Sequence, residues 1–484
     1  MKLINIVRDI QSESKFNKER EVSSIVFDSR EVIKDSIFVA INGTESDGHT
    51  YISKAIENGA TTIIYENDAF IKNDNLDIDY IKVENSRKSL SIMASAFYKY
   101  PSKKINLVGV TGTNGKTTIA TLLYNLFTDL GYSCGLISTI ENYVGTKKYP
   151  TEHTTPNPVS LNKLFNEMVE NGCEYCFMEV SSHSLSQDRV GGLEFKGAIF
   201  TNITHDHLDY HKTFAEYIRC KKLLFDKLAK ESFAITNIDD KNGNIMVQNT
   251  NASIYRYSMK SDADFNVRIL EKSIDGSLLK IDGQEVWSRF IGTHNAHNLI
   301  AVYGTAILLG MNKMEVLTKI SNLKSVSGRL EYIKGGENIT AVVDYAHTPD
   351  ALENVLKTLN DISENDIITV FGCGGNRDKT KRPEMAEIAE KYSNRIFITS
   401  DNPRFENPEE IIEDIKKGLS KEGERKAICI TDRSQAIKTA IMTAKKNSII
   451  LIAGKGHEDY QIINGVKHHL DDKEIIKESF NLIK

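Results

Sequence analysis

The sequence predicts an α/β protein of three domains. The central one carries a P-loop ATPase sheet of mostly parallel strands, the C-terminal one is Rossmann-like and doubly wound, and the N-terminal α/β domain is smaller. Three observations predict this. First, apolar runs of strand length alternate with helix-spaced apolar patterns over much of the 484 residues, which suits parallel sheets flanked by helices. Second, one strand-to-helix junction, at 108–118, reads VGVTGTNGKTT. Third, polar clusters follow the strand-like runs, and the carboxyl ends of parallel strands are where such sheets hold ligands. The length allows roughly two to four domains, and the pattern divides at 1–100, 101–325 and 326–484.

In the first unit, runs at 22–28, 37–41 and 61–65 read as strands, and 51–59 reads as a helix stopped by Gly59. Asp28-Ser29-Arg30 and residues 43–49 follow strands, as ligand loops or as plain turns. Pro101-Ser102-Lys103-Lys104 reads as a linker.

The second unit opens with the apolar run 105–110, which ends abruptly in Thr111-Gly112-Thr113-Asn114-Gly115-Lys116-Thr117-Thr118. Ile119, Leu122, Leu123, Leu126, Phe127 and Leu130 then form one helical stripe, and Gly131 ends it. Such a loop aims backbone N–H groups and a helix N-terminus at phosphate. Lys116 reaches terminal phosphates, and the Thr117 hydroxyl suits magnesium. The eight-residue P-loop pattern asks for glycine at 110, where this chain has Val110, so the loop is a shortened variant.

Further strands are expected at 133–140, 175–179, 197–202 and 232–237. Glu179 ends one of them, where a carboxylate is costly without a partner; magnesium is one partner, a cap or an ion pair another. The segment 204–211 holds three histidines, His205, His207 and His211. It invites a zinc reading, but carboxylates are interleaved and the cysteines lie elsewhere. One histidine near a metal, with the others structural, suits it better.

The third unit opens with Gly328-Arg329-Leu330-Glu331. Strands at 339–343, 367–371, 395–399 and 449–453 lead into the polar segments 344–349, 372–377, 400–404 and 454–458. Residues 372–377 look like a dinucleotide fingerprint, but Arg377 occupies the third glycine position, which argues against a Rossmann cofactor.

Composition narrows the partners. A net charge of −5 and a pI near 6.2 speak against nucleic acid bound through a basic field. The one tryptophan, Trp287, gives no stacking platform. No apolar run nears the roughly 20 residues that span a bilayer, and residues 1–20 lack a secretory pattern. A cytoplasmic protein with no membrane insertion is expected, a monomer with six reduced cysteines. Cys173 and Cys176 read as small residues at a strand start, since no second pair accompanies them.

The segments GTNGKTT, EVSSH, DHLDYH, GRLE, DYAHTPDAL, GCGGNRDKTKRP, DNPR and AGKGHEDYQ occur in that order. In this series, from Asp28 to the end, the chain resembles the Mur ligases of peptidoglycan precursor synthesis, among them the members that add the third amino acid. The resemblance implies an ATP-dependent amide ligase with magnesium. ATP would phosphorylate the γ-carboxylate of D-glutamate in UDP-N-acetylmuramoyl-L-alanyl-D-glutamate, and the amine of a diamino acid would attack the acyl phosphate.

The same resemblance assigns residues. Gly112, Thr113, Asn114, Gly115, Lys116, Thr117 and Thr118 would hold the phosphates of ATP, with Asn298, Arg329 and Asp344 at adenine, phosphate and ribose. Lys116, Glu179, His207 and Lys221 would be catalytic, and Thr117, Glu179, His207 and a carbamylated Lys221 would bind metal. Phe27, Ser29, Thr44, Glu45 and Ser46 would meet the uridine end. His153, Thr154, Thr155, Ser181, Gln187 and Arg189 would meet the muramoyl-dipeptide. Arg377, Asp401, Asn402, Pro403, Arg404, Gly454 and Glu458 would surround the incoming amino acid. His205 falls at a variable position and reads as structural.

Asp401-Asn402-Pro403-Arg404 resembles the signature of members that add meso-diaminopimelate. Its far carboxylate suits an arginine fork, and L-lysine has none. Alone, Asn-Pro also starts turns. Three alternatives stay open: a lysine-adding member, folylpolyglutamate synthetase, and a non-catalytic nucleotide-dependent module. Since the ATP ligands come from two units, the third unit is expected to close on the second after nucleotide binds.

Overall fold

The computed structural model describes residues 1–43, 46–71, 77–151, 153–363 and 365–482. The expected Thr44 and Glu45 lie outside the described residues. Three main sheets follow one another along the chain. The first has four parallel strands in sequence order, Ser24–Val26, Ser36–Val39, Ala60–Tyr65 and Asp79–Lys82.

The second sheet has eleven strands. At its centre the phosphate-loop strand Asn106–Thr111 lies between Gly197–Phe200 and Tyr175–Glu179, parallel to both. Val110 faces Ile199 on one side and Glu179 on the other, and it is fully buried. A branched apolar residue therefore suits this position better than glycine would. Helices Lys116–Asp129 and Thr293–Leu308 cover one face, and Pro158–Glu170 and Phe214–Asp226 cover the other. The stripe of helix Lys116–Asp129 is buried as its spacing requires: Ile119, Leu122, Leu123, Leu126 and Phe127 are closed to solvent. Each such side chain contributes ~1.5–3 kcal/mol of burial. Antiparallel strands extend the sheet at both edges: Asn142–Val144 and Lys147–Tyr149 at one, and at the other Gly276–Ile281 and Gln284–Ser288, beyond Phe265–Ser273, which joins parallel to Ser253–Ser258.

In the third sheet the order is Glu331–Lys334, Thr340–Asp344, Ile449–Ala453, Ile367–Phe371, Arg395–Ile398, Ala427–Cys429, parallel except at the first strand. Helices Pro349–Ile362 and Lys381–Tyr392 pack on one face, and Arg433–Met442 and Asp472–Leu482 on the other. This is the doubly wound arrangement that the strand–loop–helix period predicts. The segment expected as a linker is instead a short 3-10 helix, Pro101–Lys104, with Pro101 and Ser102 buried. Ser102 Oγ accepts from the Glu194 N–H at 3.1 Å, which fixes the segment to the central body. Among the described residues no helix is long and apolar enough to cross a membrane.

One buried ion pair braces the third sheet beneath its ligand-bearing end. Arg433 Nε and Nη2 donate to the two Asp472 oxygens at 2.8 and 2.7 Å, and both side chains are fully buried. Nη2 also donates to the carbonyl of Ala453 at 3.1 Å, the last residue before Gly454. Asp472→Ala would strand a guanidinium in the interior, at a cost of about 3–5 kcal/mol. Urea unfolding followed by circular dichroism should show that loss, and an unchanged midpoint would contradict it.

Candidate active site

The phosphate loop is built around two glycines. Gly112 has φ +151°, and a Cβ there would stand 1.8 Å from Thr201 Oγ1. Gly115 has φ +89°, and its Cβ would stand 2.6 Å from Asn298 Oδ1, so the loop and Asn298 touch only because residue 115 lacks a side chain. The neighbouring strand end holds the loop. The Thr113 N–H donates to Asn202 O at 2.8 Å, the Asn114 N–H to Asn202 Oδ1 at 2.9 Å, and Thr201 Oγ1 to Asn114 O at 2.6 Å. Lys116 folds back over the loop, donating to Gly112 O at 2.9 Å and Thr113 O at 2.8 Å. Thr117 and Thr118 are buried, and Arg329 Nη2 donates to Thr117 Oγ1 at 3.2 Å.

Three other expected residues gather beside the loop: Glu179 at a strand end, His207 in the segment after Gly197–Phe200, and Lys221 on helix Phe214–Asp226. Glu179 is 1% exposed, and its carboxylate accepts from the Thr139 N–H at 2.7 Å and Thr139 Oγ1 at 3.2 Å. Among the described residues no cation forms an ion pair with it. Lys221, also 1% exposed, donates to Gly112 O at 2.7 Å, with its Nζ 4.5 Å from the Tyr217 ring centroid. Burial, and then the charge of Lys116, pushes the Lys221 amine well below its ordinary range. Desolvation by the protein around the cleft lowers His207 to about 4 although its side chain remains 43% exposed, against the pull of Asp206, whose Oδ2 lies 3.3 Å from Nε2. A neutral imidazole and a buried carboxylate without a cation suit a magnesium ion that also takes phosphate and water ligands. No group of three His, Cys, Asp or Glu residues forms a ready cage among the described residues, as a magnesium–nucleotide site permits.

His183, His207, Tyr210 and His211 form a ring cluster here, and His211 Nε2 lies 2.9 Å from Ser182 Oγ. His205 corrects an expectation. It is exposed and lines the cleft rather than packing structurally. Sequence reasoning passed over Asp206. Burial works against its carboxylate, but His207, His347, Lys116 and Lys381 hold it below the ordinary range. Its place beside His207 was the available signal.

The third body closes over this site. The Asp344 carboxylate accepts the N–H groups of Leu330 at 2.7 Å and Ala346 at 2.8 Å. Burial pushes it up while Arg329 opposes. A cleft of 1470 Å³ lies between the central and third bodies. Thr154, His153, Asp206 and His207 line it from one side, and Arg377, Asp401, Asn402, Arg404, Gly454 and Glu458 from the other.

Inside the third body's half, Asn402 Nδ2 donates to Glu458 Oε2 at 2.9 Å, and Gln461 Nε2 to Asp401 O at 2.7 Å. Asp401 Oδ2 is buried without a hydrogen-bond partner. Gly454, at φ +114°, leaves room for it: a Cβ would stand 2.7 Å away. Arg404, at φ +55°, donates from Nη1 to Gly375 O at 2.8 Å. Burial, then Arg377, lowers its affinity for a proton. Among the described residues no carboxylate forms an ion pair with either arginine. Pro403 is buried and does not line the cleft.

The residues expected around the muramoyl-dipeptide form one network. Thr155 Oγ1 donates to Glu179 O at 2.9 Å and accepts the Ser181 N–H at 3.2 Å. Arg189 Nη1 donates to Thr155 O at 2.8 Å, and Nη2 to Gln187 Oε1 at 2.7 Å. Thr154 Oγ1 accepts from Thr139 Oγ1 at 3.0 Å. The N-terminal body touches this network where Ser91 Oγ donates to Asp188 O. Phe27 is 37% exposed, Ser29 is buried with its carbonyl accepting from Asn58 Nδ2 at 2.8 Å, and Ser46 is exposed. None of these three lines the 1470 Å³ cleft.

Three family models match the chain in succession. "Mur ligase family, catalytic domain" matches residues 21–98, "Mur ligase middle domain" residues 110–306, and "Mur ligase, glutamate ligase domain" residues 328–456. A UDP-N-acetylmuramoyl-L-alanyl-D-glutamate–2,6-diaminopimelate ligase of Phocaeicola vulgatus is 53% identical, covering 99% of each chain. Those of Bacteroides fragilis and Clostridioides difficile are 51% and 45% identical, covering 100% and 95% of each chain. A solved structure carrying the same enzyme name superposes with TM-score 0.71 at 32% identity, covering 100% of this chain and 99% of that one. A folylpolyglutamate synthase of Mycobacterium tuberculosis, at TM-score 0.60 and 16% identity, covers 77% of this chain and 92% of its own and shares the fold. By the family models and by relatives matched along almost its full length, the chain belongs to the Mur ligase family.

Proposed function

We propose that the chain is an ATP-dependent ligase adding meso-diaminopimelate to the D-glutamate of UDP-N-acetylmuramoyl-L-alanyl-D-glutamate, in peptidoglycan precursor synthesis. Its units are 1–100 for the UDP end, 101–325 for ATP and 326–484 for the amino acid. The reading takes the protein as a cytoplasmic monomer, a setting that its free thiols and nucleotide substrates fit. The observation that carries this reading is the pair Arg377 and Arg404, which form no ion pair among the described residues, in a cleft that also reaches His207 and Asp206.

In this reading the loop 112–118 cradles the triphosphate, with Asn298 at adenine and Asp344 at ribose. Lys116 swings from the loop carbonyls to the phosphates, and Arg329 leaves Thr117 for the same charge. The D-glutamate γ-carboxylate attacks the terminal phosphorus, ADP departs, and an acyl phosphate forms. Arg189, Gln187, Ser181, Thr155, Thr154 and His153 hold the dipeptide, while Phe27, Ser29 and the loop with Thr44, Glu45 and Ser46 hold the uridine end. The neutral amine of the diamino acid attacks the acyl carbon, phosphate leaves, and the amine gives up a proton. Phosphoryl transfer of this kind needs placement and charge neutralisation above all. Thr117, Glu179, His207 and a carbamylated Lys221 would hold magnesium, which supplies further neutralisation. A lysine amine kept neutral by burial is the form that adds carbon dioxide, and the carbamate's negative charge would then be balanced by the magnesium it holds.

Asp401, Asn402 and Glu458 take the amino groups, Gly454 leaves room in the pocket, Pro403 fixes the backbone behind it between Asn402 and Arg404, and Arg404 with Arg377 takes the far carboxylate. L-Lysine would leave the arginines unpaired, a penalty of roughly 1–3 kcal/mol or more. A purified-enzyme panel should show ADP release only with both the UDP-linked dipeptide and meso-diaminopimelate present. L-Lysine should work at least about tenfold worse, and equal turnover of the two amino acids would remove the reading. ATP consumption without the amine would point instead to a nucleotide-dependent module. Arg404→Ala should lower kcat/KM for diaminopimelate about 100-fold while KM for ATP changes less than about twofold.

Glu179→Gln keeps the Thr139 contacts but removes the buried charge. Magnesium-dependent nucleotide binding, followed by calorimetry, should weaken by at least about tenfold. Unchanged affinity would place the metal elsewhere.

A further inference from the structure

Two hydrogen bonds cross from the third body to the phosphate loop, on either side of Lys116. One joins Arg329 to Thr117. The other belongs to a residue that no role above uses. Asp350, in the first turn of helix Pro349–Ile362, accepts from Asn114 Nδ2 at 2.9 Å, and Thr204 Oγ1 donates to the same oxygen at 3.5 Å. Asn114 is itself fixed through its backbone to Asn202 and Thr201, and the Thr204 N–H donates to Thr113 Oγ1 at 3.0 Å. The central body therefore offers Asp350 a rigid seat of two donors. Burial, the largest influence, pushes the Asp350 carboxyl up against these bonds, and a hydrogen bond counts for more where water is scarce.

An aspartate in a first helical turn has another use, since it complements the helix dipole. That use needs charge. Seating the loop needs an acceptor oxygen, which asparagine keeps.

We propose that Asp350 is a positioning residue: through Asn114 and Thr204 it seats the third body on the phosphate loop, bringing Arg329 and the amino-acid pocket into register with the reacting phosphate. The kinetic consequences rest on the ligase reading above, and the seating itself does not.

The test uses the full chain. Asp350→Ala should lower kcat about tenfold with KM for ATP within about twofold, and Asp350→Asn should recover to within about threefold of the parent. Asn114→Ala alters ATP contacts in either background, so that effect cancels in a double-mutant cycle with Asp350→Ala. Non-additivity in kcat is expected. An asparagine variant as impaired as the alanine variant, or an additive cycle, overturns the proposal in favour of a helix-charge role. Small-angle scattering without nucleotide forms the second arm. The alanine variant should show a larger radius of gyration than the parent, and identical curves overturn the seating whatever the kinetics. If the parent forms no amide, the ligase reading falls and scattering alone decides.

Discussion

One carbonyl oxygen organises the site. Gly112 O accepts both Lys116, at 2.9 Å, and Lys221, at 2.7 Å. It is turned toward them because residue 112 adopts φ +151° against Thr201, where a side chain does not fit. Two lysine amines on one oxygen, Lys221 closed to water and Lys116 partly buried, do not both stay charged at low cost. Each is lowered by burial, Lys221 further because Lys116 stands beside it. Under the proposed function a triphosphate at this loop would favour the charged form of Lys116, and that charge would in turn press Lys221 toward neutrality. The asymmetry between a phosphate-binding lysine and a neutral one thus begins with a backbone angle that only glycine adopts readily.

The sheets then decide what else arrives. Strand register puts Val110 opposite Glu179, so the acid stands beside the loop without any local signal in the intervening chain. Gly197–Phe200, on the other side, ends in Thr201 and Asn202, which grip the loop. In the third body the same logic works from separate strand ends. Asp344, Gly372, Asp401 and Gly454 each follow or end a strand of one parallel set. Parallel sheets collect distant residues on one edge, and function follows from which residues stand there.

This explains what could be read from the chain alone. The phosphate-loop strand, its helix, the four main strands of the third unit and the loops after them are local patterns, and they stand where periodicity puts them. The residues gathered in the cleft were legible because their motifs sit at strand ends. Contacts between bodies were not. Asn114 and Asp350 are 236 positions apart, and Arg329 and Thr117 are 212 apart. No local spacing connects them. The ribbon Phe265–Ser273, Gly276–Ile281, Gln284–Ser288 escaped notice because many of its residues are exposed and polar, which weakens alternation as a signal. Pro101–Lys104 looked like a linker because proline and lysine are common there, whereas its burial depends on Glu194, far along the chain. His205 shows the converse: position in a histidine-rich run does not tell which ring turns outward.

The amino-acid pocket carries two strains of opposite sign, and together they describe its ligand. At one end Arg404 loses proton affinity to burial and to Arg377. At the other, burial pushes the Glu458 carboxyl up and Asp401 adds to that shift, while Asp401 Oδ2 lacks a partner. A ligand with only an amino group would relieve the acids and leave the arginines. A ligand with only a carboxylate would do the reverse. A molecule bearing an amino–carboxylate pair at each end, so that its far pair sets a carboxylate at the arginines and an ammonium at the acids, relieves both. Part of its binding free energy would then come from pairing groups that the fold holds out of water, the electrostatic form of preorganisation. Lys455, fully buried between Asn402 and Glu458 at 3.3 and 3.4 Å, keeps the acidic end from opening while it waits. The arginine end forms no ion pair among the described residues, so under the proposed function selection against ligands that lack the far carboxylate would fall mainly there.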